Sequence, residues 1–193
     1  ALGGPLEYLP LDEWRNQLEV NVVGQVSVTR TALPLLRAAR GRIVFVGSIS
    51  GRAGTTRMGP YCSSKFAIEG LAESLRHDLA EWRIGGAVVE PGAVRTAIWE
   101  KGRATTERLE RELPGEAFER YAKGMQSIRD GIEESETKGV DADKVADVVT
   151  HALFAKRPKH RYLVGPDAKV AGTLARLLPD RAKHAVMARI AGP

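Results

Sequence analysis

The sequence contains a single cysteine, Cys62, among its 193 residues. One thiol cannot form an internal disulfide, and it supplies too few ligands for a cysteine-based zinc site. This composition excludes disulfide-rich secreted domains and favours a reducing, cytoplasmic compartment. The sequence also lacks an uncharged apolar run long enough to span a membrane, and its first residues do not show the basic-then-apolar pattern of a secretory signal.

The charge of the chain is only mildly unbalanced. Lys and Arg number 29 against 24 Asp and Glu, and the basic residues are interspersed with acidic ones except near the C-terminus. We therefore expect a solvated surface and no nucleic-acid partner. The four histidines show no i, i+4 pair of the kind that binds metal, so no metal site is predicted.

Strand and helix patterns alternate along the sequence. Three short runs predict strands, at residues 42–48, 87–92 and 161–165, and the first two are expected to be buried in the sheet. Apolar residues recur at helical spacing in four segments, at residues 11–39, 59–82, 141–155 and 167–191. This order predicts an α/β fold with a parallel sheet and right-handed crossovers.

The sequence also predicts the ends of the first helix and the character of the long segment after the second strand. Asp12 is the expected N-cap of the first helix, and Gly41 its expected end. The highly charged residues 97–135 predict a long insertion with helical pieces, of the kind that forms lids or binding loops. The tail at 167–191 is a basic amphipathic helix, and its apolar stripe favours packing against protein over contact with an anionic membrane surface.

The segment GPYCSSKF, residues 59–66, places Tyr61 and Lys65 four residues apart at the start of the second helix. At this spacing the two side chains share a helix face. A free tyrosine has a pKa near 10, and an adjacent cation favours its ionised form, so we expect Lys65 to lower the pKa of Tyr61. Such a pair suits general acid–base catalysis, although Tyr-x-x-x-Lys alone is common on helix surfaces.

Three neighbouring motifs strengthen the catalytic interpretation. Ser48 ends the first predicted strand, thirteen residues before Tyr61, and Asn21 lies inside the first helix. The sequence EPGAVRT, residues 90–96, follows the second strand, at the sheet edge where ligands of parallel sheets bind. Together these motifs resemble the short-chain dehydrogenase/reductase family of the classical type.

The resemblance implies a fold and an activity. It implies the C-terminal half of a Rossmann-like doubly wound parallel sheet, with residues 1–193 forming part of a single oxidoreductase domain. The expected reaction interconverts a secondary alcohol and a ketone with NAD or NADP. The Glu-Pro-Gly sequence, residues 90–92, is similar to the branch that acts on lipophilic, steroid- or retinoid-like substrates.

The resemblance also assigns roles to residues. Tyr61 would be the general acid–base, Ser48 would bind the reacting oxygen, Lys65 would contact the nicotinamide ribose, and Asn21 would hold a water in a proton relay. The cofactor contacts it implies are Asn21, Tyr61, Lys65, Pro91, Gly92, Val94 and Thr96.

The Gly-rich turn that opens the family's fold is not in this sequence, so we expect the chain to be part of a longer protein. The choice between NAD and NADP therefore stays open. Family members commonly pair through the helices corresponding to residues 11–39 and 59–82, which implies a homodimer or homotetramer. The alternative hypothesis is a non-catalytic, truncated relative that acts as a dimerisation or regulatory module.

Overall fold

The computed structural model describes residues 2–191, apart from the side chains of Phe118 and of residues 187–191. Its helices are α1 Leu11–Leu18, α2 Gly24–Ala39, α3 Gly59–Asp78, α4 Ile98–Glu112, α5 Gly115–Lys138, α6 Ala142–Phe154, α7 Pro166–Leu177 and α8 Asp180–Ala191. Its strands are β1 Arg42–Val46, β2 Gly85–Pro91, β3 Val94–Arg95, β4 Val140–Asp141 and β5 Arg161–Val164. Single turns of other helix types lie at Glu19–Val23 (π), Ile49–Gly51 and Ala80–Trp82 (both 3-10).

The main sheet of the described residues is parallel, with the strand order β1-β2-β5. In its register Val46 pairs with Val89, and Pro91 pairs with Val164. The predicted α/β fold with a parallel sheet is confirmed, and all three predicted strands are present. A second, parallel pair of strands, β3 and β4, was not predicted because each strand is only two residues long and carries no periodicity.

Burial differs between the central strand and the edge strands. In β2, every residue from Ala87 to Pro91 is buried. In β1, only Phe45 is buried, and the Val46 side chain is 46% exposed. In β5, only Val164 is buried. The prediction of burial on both faces, made for the first two strands, is therefore right for β2 and wrong for β1, because an edge strand is covered less completely than a central one.

Helix α3 is fixed on the sheet by the main hydrophobic cluster. Ile68 and Ala72 of α3 pack against Phe45 of β1 and Val88 of β2, and Ile68 and Val88 are completely buried. Burying a side chain of this size contributes about 1.5–3 kcal/mol. This packing determines how the first turns of α3 face the ends of the strands.

The first predicted helix is divided in two. The segment 11–39 is interrupted by the π-helical turn Glu19–Val23. The expected N-cap at Asp12 is wrong, because the helix already begins at Leu11, after Pro10, and Asp12 lies within its first turn. The helix ends at Ala39, and Arg40 rather than Gly41 takes the left-handed conformation, with φ 48°.

The predicted insertion forms the helices α4 and α5, which pack against each other. Ion pairs join them, including Arg103 with Glu136 and Arg129 with Glu110. In the C-terminal part, Leu174 and Leu178 line a narrow crevice with Ala53, whereas Val170 and Leu177 are 60% and 71% exposed, so the apolar stripe is covered only in part. Within residues 2–191, no helix has the length and apolar character needed to cross a membrane.

Candidate active site

The predicted catalytic side chains meet at the carboxyl edge of the sheet. Ser48 lies two residues beyond the end of β1, where the amide of Gly47 still donates to the carbonyl of Val89 at 2.8 Å. Tyr61 and Lys65 lie in the first two turns of α3, which begins at Gly59. The strand end and the start of the helix therefore present their polar groups to the same region.

Three side chains form the centre of this region. Ser48 lies within interaction range of Tyr61, and its hydroxyl lowers the pKa of the phenol. The ammonium of Lys65 lies 5.7 Å from the centre of the Tyr61 ring and donates to the carbonyl of Val46 at 3.1 Å. The structure thus brings together the serine, the phenol and the amine at the end of β1, as their spacing in the sequence predicted.

The protonation of Tyr61 differs from the expectation. Burial raises the pKa of the Tyr61 phenol, and the hydroxyl of Ser48 lowers it by a smaller amount. Burial also lowers the pKa of the Lys65 amine, because desolvation disfavours its charged form. The predicted lowering of the pKa of Tyr61 is therefore wrong, since burial is the largest effect and raises this pKa.

Asn21 lies in the π-helical turn between α1 and α2. Its Nδ2 donates to Ser64 Oγ at 3.0 Å, and Ser64 Oγ donates to the carbonyl of Tyr61 at 2.7 Å. Ser64 is completely buried and links Asn21 to α3. The sequence could have predicted the contact between Ser64 and Tyr61, because the two residues are three apart on the same helix.

The proposed cofactor-contacting turn follows β2. Pro91 is buried, and the amide of Gly92 donates to the carbonyl of Val164 at 3.0 Å. The carbonyl of Val94 accepts from Trp99 Nε1 at 2.6 Å, and Thr96 is exposed. The chain after Gly92 is therefore fixed to β5 on one side and to α4 on the other.

Asp167 is a further residue of this turn, and sequence reasoning missed it. Its carboxylate accepts from the amide of Ala93 at 2.7 Å, and a Cβ at Gly92 would overlap it. No local pattern in the sequence indicates this contact, because the two partners are 74 residues apart. Asp167 holds the turn in place, and only a glycine at position 92 leaves room for it.

The donor set of the site fits the nicotinamide ribose end of a dinucleotide. An ammonium has three N–H donors, and Lys65 directs one of them at Val46, which leaves two for ribose hydroxyls. The Tyr61 and Ser48 hydroxyls can each donate to or accept from a substrate oxygen. Among residues 2–191, no group of three or more His, Cys, Asp or Glu side chains is arranged to hold a metal ion.

A family model described as "short chain dehydrogenase" matches residues 2–107. The chain belongs to the short-chain dehydrogenase family. It is 37% identical to "Retinol dehydrogenase 5" of Mus musculus, over 95% of this chain and 59% of the relative. It is 32% identical to the "NADPH-dependent 3-dehydrocapnine reductase" of Ornithobacterium rhinotracheale, over 92% of this chain and 62% of the relative. This short-chain dehydrogenase therefore spans about 60% of the length of these curated relatives.

A solved structure supports the same fold. The short-chain dehydrogenase from Burkholderia phymatum, crystallised in complex with NAD, is similar to this chain with a TM-score of 0.70 and 25% identity. The similarity covers 89% of this chain and 60% of that one. The predicted Rossmann-like parallel sheet of the short-chain dehydrogenase family is therefore confirmed.

Proposed function

We propose that this chain is the catalytic part of an NAD(P)-dependent oxidoreductase that interconverts a secondary alcohol and a ketone. The observation that carries the proposal is the group of Ser48, Tyr61 and Lys65 at the carboxyl edge of the sheet. Membership of the short-chain dehydrogenase family supports it, as do the printed names of relatives, which include a retinol dehydrogenase and an NADPH-dependent reductase.

Tyr61 moves the proton in this reaction. In the direction of reduction its hydroxyl donates to the carbonyl oxygen of the substrate, and in the direction of oxidation it accepts the alcohol proton. The Ser48 hydroxyl donates to the same oxygen, and the amide of Ser50 holds the Ser48 side chain by donating to its Oγ at 3.1 Å. A bound nicotinamide dinucleotide would supply or accept the hydride.

Lys65 and the turn after β2 would bind the cofactor. The free donors of the Lys65 ammonium are available for the ribose hydroxyls, and its positive charge favours the phenolate whenever Tyr61 has given up its proton. The chain from Pro91 to Thr96 would hold the nicotinamide end. In this arrangement Asn21 fixes the first turn of α3 through Ser64, next to the water that we expect it to hold.

The proposed substrate is a lipophilic alcohol or ketone. The support is the 37% identity to a retinol dehydrogenase over 95% of the chain, together with the Glu-Pro-Gly sequence at the end of β2. The test is to follow the absorbance of reduced nicotinamide with the purified protein, NAD or NADP, and a steroid with a secondary hydroxyl, a retinoid alcohol or a small polyol. We expect turnover of the steroid or the retinoid, and a kcat lower by about 10²-fold or more for Tyr61→Phe. Turnover of the polyol alone would overturn the substrate class, and turnover of the retinoid alone, a primary alcohol that gives an aldehyde, would overturn the assignment to secondary alcohols.

The alternative function is a non-catalytic dimerisation or regulatory module. A fluorescence titration with dinucleotide separates the two functions. Saturable binding by the folded protein supports the enzyme, whereas a folded protein that binds neither NAD nor NADP supports the module. Both functions include self-association through α2 and α3, and we propose a homodimer or homotetramer.

A further inference from the structure

Four charged side chains form an ionic cluster beside the site, outside the catalytic group. They are Glu69 of α3, Glu90 of β2, Arg161 of β5 and Arg52, which follows the Ile49–Gly51 turn. Arg161 Nη1 donates to Glu90 Oε1 at 2.8 Å and also contacts Glu69 Oε2. Arg52 Nη1 lies 3.7 Å from Glu90 Oε2.

Burying the two carboxylates of the ionic cluster costs desolvation free energy. Glu90 is 0% exposed and Glu69 is 8% exposed. Burial and the nearby charge of Glu90 raise the pKa of Glu69, although Arg161 opposes this shift. Within the described part of the chain, Glu69 Oε1 and Glu90 Oε2 accept no hydrogen bond. Apolar side chains of similar volume often fill such a position with equal or greater stability, so stability alone does not account for the cluster.

Each acid of the cluster belongs to a segment that forms the site. Tyr61, Lys65 and Glu69 follow one another at intervals of four residues on α3, so they share one face of the helix. Glu90 directly precedes the Pro91-Gly92 turn that is proposed to hold the nicotinamide.

The segment that carries Ser48 also packs on Glu69. A Cβ at Gly47 would lie 3.2 Å from Glu69 Oε1, and a Cβ at Gly51 would lie 3.2 Å from Glu69 Cγ. These two glycines are on either side of Ser48. The Ser48 segment, the catalytic helix and the end of β2 therefore all adjoin the ionic cluster, and Arg161 is the side chain that bridges its two acids.

We propose that Arg161 is a positioning residue: by bridging Glu69 and Glu90, it sets the placement of Tyr61 and Ser48 relative to the Pro91-Gly92 turn. This inference rests on the proposed oxidoreductase function. The physical reason is that proton and hydride transfer require the reacting groups to be aligned closely, and a displacement of about 1 Å can reduce the rate roughly a hundredfold. Arg161 makes both contacts through Nη1, at the far end of its rigid guanidinium, and a lysine side chain ends about one bond short of that position.

Arg161 is also accessible from solvent. It lines an open cavity of about 490 Å³ between β5 and α7, together with the basic side chains of Arg52, Lys159, Lys169 and Arg176. Removing the Arg161 side chain would therefore leave a space connected to solvent. A free guanidinium ion could enter this space and restore the bridge between the two acids.

The test compares Arg161→Lys with Arg42→Lys in the protein used for the oxidoreductase assay. Arg42 is a suitable control because it ties β1 to α6 through the carbonyls of Ala152 and Leu153 and does not touch the ionic cluster. We expect Arg161→Lys to lower kcat about 10- to 100-fold with a smaller change in the substrate KM, since alignment rather than binding is lost. Arg42→Lys should leave kcat within about twofold of wild type, because it changes only packing remote from the site.

Chemical rescue and hydrogen exchange distinguish a local effect on the site from a general loss of stability, because the exchange comparison is made segment by segment against the control variant. Arg161→Ala should regain activity with millimolar guanidinium but not with the same concentration of sodium, whereas Arg42→Ala should regain none.

In Arg161→Lys without cofactor, amide exchange should be faster in residues 47–51 and 59–65 than in Arg42→Lys. Equal kcat in the two lysine variants, or equal exchange in these segments, would overturn the positioning role. A wild-type protein without oxidoreductase activity would overturn the proposed function instead, and the exchange comparison would then decide the positioning role alone.

Discussion

At the scale of single residues, the Tyr61 phenol experiences two opposing effects. Burial raises its pKa, and the hydroxyl of Ser48 lowers it. Lys65 lies 5.7 Å from the ring centre, but its own pKa is lowered by the same burial. The sequence predicted correctly that Ser48, Tyr61 and Lys65 meet. It could not predict whether burial or the hydroxyl of Ser48 has the larger effect on the pKa of Tyr61, because desolvation depends on all the groups that pack around the ring.

The first prediction concerns the pKa of Tyr61 in Ser48→Ala. Loss of the Ser48 hydroxyl removes a stabilising contact to the phenolate, so the pKa of Tyr61 should rise further. The measurement is an ultraviolet difference titration, with Tyr61→Phe identifying the signal of this phenol. Ser63→Ala, at an exposed position of the same helix, is the control and should leave the titration unchanged. A lower pKa in Ser48→Ala would contradict the assigned contact.

The second prediction is kinetic. Tyr61→Phe keeps the ring and removes the hydroxyl that exchanges the proton, so kcat should fall about 10²- to 10⁴-fold. The dinucleotide affinity should change little, since Lys65 and the turn after β2 remain in place. Steady-state kinetics together with a dinucleotide titration check this result. Retention of wild-type kcat would show that Tyr61 is not the acid–base group.

The third prediction concerns stability and pH at Glu69. Its pKa is raised in the folded protein, so between its unfolded and folded pKa values the folded state binds more protons than the unfolded state. The free energy of unfolding contributed by this group is then greatest below the unfolded pKa and declines as the pH rises through the folded pKa. Glu69→Gln does not titrate, so the stability of wild type relative to this variant should fall with increasing pH, as measured by urea unfolding. A relative stability that rises over this range would contradict the direction of the shift.

At the scale of elements, the placement of Ser48 depends on how closely its turn approaches α3. The Ile49–Gly51 turn follows Ser48 directly, and Gly51 is buried. A Cβ at Gly51 would lie 2.8 Å from the carbonyl oxygen of Lys65, which belongs to the backbone and cannot rotate away. The close approach of the turn to α3 therefore requires glycine at position 51. The sequence contains this glycine, but it does not indicate that the backbone of Lys65 lies beside it.

The fourth prediction compares two glycines of this region. Gly51→Ala should push the Ser48 turn away from α3, lower the free energy of unfolding by about 1–3 kcal/mol and reduce activity. Gly54→Ala is the matched control, because no described atom lies within 4 Å of a Cβ placed there. Urea unfolding and the oxidoreductase assay measure both effects. Equal stability of the two variants would contradict the close approach.

The π-helical turn Glu19–Val23 is a second feature of this scale that the periodicity of the sequence did not predict. The periodicity of residues 11–39 is helical throughout, and it predicted one continuous helix. A single π-type turn leaves this periodicity nearly intact, so the turn is visible only in the three-dimensional structure. The residue that did hint at it is Asn21, since asparagine is unfavourable inside a helix, and π-turns are frequent at functional sites.

At the scale of the whole molecule, apolar side chains remain exposed on the helices that are proposed to pair. Val28 and Leu35 of α2 are 71% and 75% exposed, and Phe66 of α3 is 47% exposed. Such side chains are commonly covered when subunits associate. This surface agrees with the proposed homodimer or homotetramer.

The fifth prediction tests this surface. Leu35→Glu should weaken self-association by at least about 2 kcal/mol, or roughly thirtyfold in Kd, because a buried apolar contact is replaced by a charge. Sedimentation velocity over a range of concentrations measures the change. Leu6→Glu, at a position that is equally exposed and lies outside α2 and α3, should leave the association unchanged. An unchanged Kd for Leu35→Glu would place any interface elsewhere.

The sequence by itself determined the order of strands and helices, the family, and the serine, tyrosine and lysine of the site. These features follow from local periodicity and from motifs at fixed spacing, which a linear chain records directly. Only the tertiary structure decided the burial of the Tyr61 phenol, the Asp167 contact to the turn after β2, and the bridge from Arg161 to Glu69 and Glu90. Each of these depends on groups that are distant along the chain, and their energies are set by desolvation and distance, which exist only once the chain has folded.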